Sequence, residues 1–295
     1  MFKLRRISEK PILAPIAQHE WEREAVLNCG VVRHEGLFHM VYRASDRPFG
    51  DFTKKYVTRF GYAVSRDGVN FMRLDKPVFE DEALWAKWGV EDPRIVRMDD
   101  RFYVTYSTWD GDMQHIRARL ATTENFIVWR RHGVLLDEPN KNAALFPERI
   151  GGRCALLHRR EPDIWLCFSE DLRKWSDHER IMQPRPGKWD SVKIGAAGPP
   201  VKHPEGWLLV YHGVDEKKVY RLGAALLDAD NPTKVLARQD EPILEPQLEW
   251  EMKGQVPNVV FSCATVDVGD LYYIYYGAAD TVIELATVEK EAVRF

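Results

Sequence analysis

One short stretch of this sequence has the residue types for proton transfer: Glu91-Asp92-Pro93-Arg94. A carboxyl group held in a cleft can act as a general acid. Taken alone, Asp92 is either such an acid or a turn residue ahead of a proline. Glu91 is either a functional group or a strand-end ion-pair partner. A second set of residues is basic. Arg43, Arg159 and His212 each directly follow an aromatic or histidine that ends a run of alternating apolar residues. Side chains at one repeated position converge if the repeat closes on itself. An anion is the simplest guest for such a cluster, and the arginine fork suits phosphate. Arg59 and Lys193 lie near turns, where solvation at the surface is the default. Trp85 and Trp88, just ahead of the acidic pair, are either loop packing or a platform for a sugar ring.

The repeat that would bring these residues together is visible in five segments: Leu37–Arg43, Arg101–Ser107, Arg153–Arg159, Gly206–His212 and Leu271–Gly277. Their end markers are Tyr42, Tyr106, His158, Tyr211 and Tyr276, and the average unit is about 59 residues. Period-two alternation is a strand signal. Upstream partners are expected around Val32, Val96, Ile150, Val201 and Val266. Turn residues fill each gap: His34-Glu-Gly, Asp99-Asp, Gly151-Gly, Pro204-Glu-Gly and Gly269-Asp. A third strand ends at Ser65, Thr123 and Ser169, and a fourth is expected beyond Phe71, Trp129 and Trp175. Four antiparallel strands repeated five times describe an all-β protein, a five-bladed β-propeller forming one domain over residues 1–295. The length alone, at ~150 residues per domain, would instead suggest two. In a propeller the innermost strands line the central channel. Polar groups at their ends are the place to look for chemistry: Asn28-Cys-Gly, Glu91 to Arg94, Phe146 to Arg149, and Gly198-Pro-Pro.

Composition excludes several partners. Lys and Arg total 42 against 45 Asp and Glu, a net charge of −3 with no basic block, which argues against nucleic acid. No apolar run is long enough to span a membrane. The N-terminal residues lack the apolar stretch of an export signal, so a cytoplasmic location is expected. Cys29, Cys154, Cys167 and Cys263 have no metal-ligand spacing and are expected to be buried thiols. The ten Trp, eleven Tyr and thirteen Phe suit pleated, half-buried strands.

Several longer motifs resemble glycoside hydrolase family 130. They are Gly89 to Arg94, Asn142 to Glu148 with His158-Arg159, Lys193-Ile-Gly, Gly206 to Gly213, Arg221 to Asp228, Pro257 to Phe261 and Tyr275 to Asp280. Members of that family are five-bladed propellers, mostly inverting phosphorylases of β-mannosides that release α-mannose 1-phosphate, while some are hydrolases. The resemblance implies that Asp92 is the catalytic acid, acting through the 3-hydroxyl of the mannosyl unit. It further implies that Lys141, Asn142, Arg159, Lys193, His212 and Tyr220 hold phosphate. Asn28, Arg43, Arg59, Asp190 and Asp280 would then contact the sugar. No metal or organic cofactor is implied, with inorganic phosphate as co-substrate. A homo-oligomer is left open.

Phosphorolysis and hydrolysis make different demands. Inverting hydrolysis needs a carboxylate base to activate water as well as an acid. Phosphorolysis needs the acid and cationic groups to hold an already anionic nucleophile. The basic set favours a phosphorylase. A water-using β-mannosidase with Glu148 or Asp280 as base, and a non-catalytic glycan-binding propeller, are the alternatives. Lys141 stands where many relatives carry Arg, a feature shared with members acting on β-1,2-linked mannosides. Ser262-Cys-Ala264 replaces a Pro/Ala-Cys-Gly common among them.

Overall fold

Strands that alternate apolar and polar residues stack only if their apolar faces meet, and here five sheets stack face to face around a channel. A computed structural model of the chain describes residues 1–49, 57–80, 88–109 and 112–295. The first blade comprises Ala25–His34, Leu37–Ser45, Thr58–Ser65 and Met72–Arg73. The second comprises Val90–Met98, Arg101–Thr108, Arg117–Thr123 and Trp129–Val134. Lys141–Leu145, Cys154–Arg160, Asp163–Ser169 and Ser176–Met182 make the third. In the fourth, Lys193–Ala196 and Val201–His203 both pair with Gly206–Val214, followed by Tyr220–Leu227 and Val235–Arg238. The fifth is built from Val260–Val268, Leu271–Ala278 and Val282–Glu289. Its outer strand is Arg5–Arg6 from the other end of the chain, which pairs with Val282–Glu289 and ties the first residues to the last blade. All pairings within the blades are antiparallel. The five-bladed β-propeller expected from the repeat is the architecture found.

All five expected hairpin turns are present. Two inner strands depart from expectation. The partner of Cys154–Arg160 is Lys141–Leu145, well upstream of Ile150. Ile150 instead closes the tight turn by bridging to Arg153. Pro147 has no N–H to give the ladder, so the strand ends before it. In the fourth blade Pro199 and Pro200 likewise split the inner strand into two pieces.

The third strands end as the Ala/Cys-x-Ser/Thr pattern requires. Ser65 Oγ accepts from the N–H groups of Asp67 and Gly68, Thr123 Oγ1 from Asn125 and Phe126, and Ser169 Oγ from Asp171 and Leu172. The hydroxyl satisfies backbone donors that the turn would otherwise strand. Apolar clusters fill the spaces between successive blades. One joins Phe146, Leu166 and Met182 to Trp207 and Leu227; another joins Val26 and Met40 to Tyr275 and Leu285. The four cysteines are buried and unpaired, as expected.

Candidate active site

The site is built by one backbone device used three times. The inner strands of the first three blades each carry a bulge where two residues oppose one on the partner strand: between Leu27 and Gly30, Glu91 and Arg94, and Lys141 and Ala144. The first bulged residue is left-handed in each case: Asn28 at φ 45°, Asp92 at φ 54° and Asn142 at φ 56°. Asn and Asp tolerate that region better than other non-glycine residues. A bulge re-aims its side chain, here into the channel. The fifth blade has a register shift between Ser262 and Ala264.

A cavity of about 350 Å³ opens at this end of the channel. Every residue assigned to phosphate lines it: Lys141, Asn142, Arg159, Lys193, His212 and Tyr220. Asn28, Arg43, Glu91, Asp92 and Asp280 line it too. Arg59 and Asp190 are not among its lining residues. Arg59, on the third strand of the first blade, pairs with Glu80 at 2.8 Å. Asp190 is fully buried behind the wall, where it accepts from the Tyr211 hydroxyl at 3.0 Å and pairs with Arg185 and Arg238. Glu148 also stands away from the cavity, ion-paired with Lys202 at 2.6 Å. Trp85 lies outside the described residues. Trp88 packs against Trp109 with the rings tilted by 32° and their centroids 5.8 Å apart, and Trp109 is the one of the pair that lines the cavity.

The carboxylates sit on one side. Asp92 Oδ1 accepts from Asn28 Nδ2 at 2.9 Å and from Arg43 Nη1 at 3.5 Å. Glu91 accepts from Arg43 Nη2 at 2.8 Å and faces Lys141 Nζ at 3.5 Å. Burial pushes the Asp92 pKa up, but Arg43, Lys141, Arg94 and the Asn28 amide outweigh it and hold the group below the usual range. Asp280 goes the other way. Its burial, opposed by Arg43 but reinforced by the Asp92 and Glu91 charges, lifts it to about 6.

Two further cations come from the third and fourth blades, Arg159 and Lys193. Arg159 is buried, with Nη2 on Glu161 at 3.0 Å. Lys193 Nζ lies 5.9 Å from the centre of the Tyr220 ring. Burial and then the Arg159 charge hold the Lys193 ammonium below its usual pKa. His212 packs between Tyr220 and Phe261 and is fully buried. Burial, followed by Arg159 and Arg94, drives its pKa well down, so the ring is neutral. Among the described residues, neither ring nitrogen of His212 and neither polar atom of the Asn142 amide has a hydrogen-bond partner. Buried polar atoms left in this state cost free energy unless something else binds them.

Two supporting residues carried no assignment in the sequence. Arg94 reaches across the channel from the second blade to the Ala197 carbonyl at 2.8 Å and also holds the Asp92 carbonyl at 2.9 Å. It is a buried fixed charge beneath the acid. Phe261 forms a wall against His212. Both lie inside motifs the sequence displays, and Arg94 follows Asp92 by two residues. Their roles depend on which blades face each other.

The whole chain matches known proteins. The family model described as beta-1,4-mannooligosaccharide phosphorylase covers residues 3–295. A 1,2-beta-oligomannan phosphorylase of Thermoanaerobacter sp. (strain X514) is 53% identical over the full length of both chains. A beta-1,2-mannobiose phosphorylase of the same organism is also 53% identical, again over all of each chain. Among solved structures, the beta-1,2-mannobiose phosphorylase from Listeria innocua in complex with beta-1,2-mannobiose superposes with a TM-score of 0.89 at 28% identity, covering 98% of this chain and 97% of that one. With the family model matched from end to end and the bulged acid in its channel, this chain belongs to glycoside hydrolase family 130.

Proposed function

We propose that the protein is an inverting phosphorylase of β-linked mannosides, with β-1,2-linked substrates first, and that Asp92 is its proton donor. The observation carrying this is the pairing of a buried carboxyl on one wall with unpartnered Asn142 and His212 atoms beside Arg159 and Lys193 on the other. A phosphate oxygen accepts from the Asn142 amide N–H and from the one N–H of the neutral His212 ring, while Arg159 and Lys193 offset its charge. The preference for β-1,2 linkages is supported by the names of the relatives at 53% identity and by Lys141.

Phosphate held on the cationic wall attacks C1 of the mannosyl unit from the face opposite the leaving group. The new C1–O–P bond forms as the glycosidic C1–O bond breaks. The Asp92 proton goes to the departing oxygen, directly or through a sugar hydroxyl, giving α-D-mannose 1-phosphate and a shortened sugar. Against its burial, Asp92 is held ionised by Arg43, Lys141 and Arg94. A bound phosphate offsets that positive field and lifts the Asp92 pKa, so nucleophile binding arms the acid. By linkage, a protonated Asp92 tightens phosphate binding. Asn28 and Arg43 orient the carboxyl, and Asp280 faces the sugar.

A water-using route needs a carboxylate base in the cavity. Glu148 is committed to Lys202, which leaves Asp280 as the group to test. The deciding experiment incubates the protein with β-1,2- and β-1,4-mannobiose, with and without phosphate. The expected result is mannose 1-phosphate only when phosphate is present. Free mannose released without phosphate overturns the proposal.

A further inference from the structure

In three blades the aromatic marker is a tyrosine whose hydroxyl donates to a buried acid: Tyr42 to Glu22 at 2.8 Å, Tyr211 to Asp190 at 3.0 Å and Tyr276 to Glu251 at 2.8 Å. Each acid also holds an arginine: Arg73, Arg238 and Arg6 respectively. In the third blade the marker is His158, and its partners lead elsewhere. Arg159 follows it, at the point where the inner strand Lys141–Leu145 begins and the ladder runs out. There the Asn140 side chain takes over, its Oδ1 accepting from the Arg159 backbone N–H at 3.2 Å.

That one bond fixes the protons of the whole chain of groups. A backbone amide only donates, so the atom facing it is the Asn140 oxygen. Asn140 Nδ2 then donates to Glu138 Oε1 at 3.1 Å and to His158 Nδ1 at 3.0 Å. His158 Nδ1 is therefore an acceptor, and the ring proton is on Nε2, 3.1 Å from His178 Nδ1. Burial, then His178 and Arg160, push the His158 pKa down to about 3, so the ring stays neutral. Cys167 brings its sulfur within 4.8 Å of both rings, a spacing suited to a metal ion. With its proton on Nε2, however, His158 has no lone pair left on that side for a cation. The cluster's chemistry is directed inward, to Arg159.

We propose that Asn140 and His158 are positioning residues for Arg159. They hold its backbone at the end of the ladder so that the guanidinium meets phosphate, while Tyr42, Tyr211 and Tyr276 brace their blades. This rests on the assignment of Arg159 to phosphate.

The test measures KM for phosphate, KM for mannoside, kcat and the thermal midpoint in five variants. Asn140→Ala and His158→Phe are expected to raise the phosphate KM by about 5- to 20-fold, as loss of a buried hydrogen bond would. The mannoside KM and the kcat at saturating phosphate should change by less than about 2-fold. His158→Gln, whose amide oxygen can accept from Asn140, should recover most of the phosphate affinity. Tyr276→Phe is the control for a buried bond with no link to Arg159: the midpoint falls and the phosphate KM stays. The proposal is overturned if Arg159→Ala raises the phosphate KM while His158→Phe and His158→Gln both leave it at the Tyr276→Phe level. The His158 pair decides the matter even if Asn140→Ala does not fold. An unchanged phosphate KM in Arg159→Ala overturns the phosphate assignment itself, and this proposal with it.

Discussion

Gly195 lies flat against the His212 imidazole: a Cβ at position 195 would stand 2.5 Å from His212 Cε1 and 2.9 Å from Asn142 Oδ1. The two side chains whose polar atoms lack a hydrogen-bond partner among the described residues are thus seated by the absence of a third. Gly277 does the same for Asn28, whose amide oxygen occupies the space a Cβ would fill. Both glycines sit in the ladder between the two innermost strands of their blades, Gly195 opposite His212 and Gly277 opposite Phe261.

Gly195→Ala should therefore displace His212 and Asn142 together. The expected outcome is a phosphate KM raised by about 10-fold or more, with a smaller change in mannoside KM. Steady-state kinetics with each substrate varied in turn checks it. Equal loss in both constants would mean that the wall as a whole had moved.

Asp92→Asn removes the only proton the proposed mechanism takes from this wall. Turnover should fall by about 10²–10⁴-fold. Phosphate binding should be kept or strengthened, because a negative charge facing the anion is gone. Calorimetric titration of phosphate into the variant, beside a product assay, separates the two effects.

Asp190→Asn tests the placement of that residue behind the wall. Removing one charge leaves the half-buried Arg185 and Arg238 without their common partner. The expected cost is about 3 kcal/mol of stability, with KM for both substrates close to wild type in the protein that remains folded. Denaturant unfolding together with kinetics measures it. A large rise in mannoside KM without loss of stability would return Asp190 to the sugar site.

Glu284 gives the fold a pH signature of its own. It is fully buried; burial raises its pKa, the Trp250 indole draws it part of the way back, and the Glu251 charge adds to the rise, leaving it at about 7. Its pKa in the unfolded chain is ~4.3. The native state thus holds the proton more tightly, so this group's contribution is complete at low pH and is lost as pH rises through about 7. The difference corresponds to a few kcal/mol, on the order of 3. Glu284→Gln should be more stable than wild type at pH 8 and differ little at pH 4. Unfolding curves at both values decide it, and an equal difference at the two would show that ionisation of Glu284 is not the cause.

Much of the candidate site was legible because the residues that line the cavity sit in contiguous motifs. Asp92 could be singled out with Glu91 and Arg94, and Arg159 and His212 by their shared place after a marker residue. Arg59 and Asp190 were legible only as residue types. In the fold Arg59 pairs with Glu80, and Asp190, in a turn, accepts from Tyr211 and pairs with Arg185 and Arg238. Nothing in the residue types distinguishes a carboxylate waiting for a sugar from one already holding two arginines. The inner strand of the third blade was misplaced for a related reason. Ile150 lies eight residues before His158, close to the ten-residue spacing of the other blades, whereas the true pairing depends on Pro147 ending the strand.

The sequence by itself determined the repeat, and with it the number of blades, the hairpin turns, the burial of the cysteines and the register of the basic ring. Each is a matter of period and of local backbone chemistry, carried by residues a few positions apart. Tertiary structure decided what neighbours across the channel do to one another. It set the left-handed bulges that turn Asn28, Asp92 and Asn142 inward, the reach of Arg94 from the second blade to the fourth, and the opposite pKa shifts of Asp92 and Asp280. Those are effects of burial and of charges tens of residues away in the chain, and they exist only once five blades have closed around one cavity.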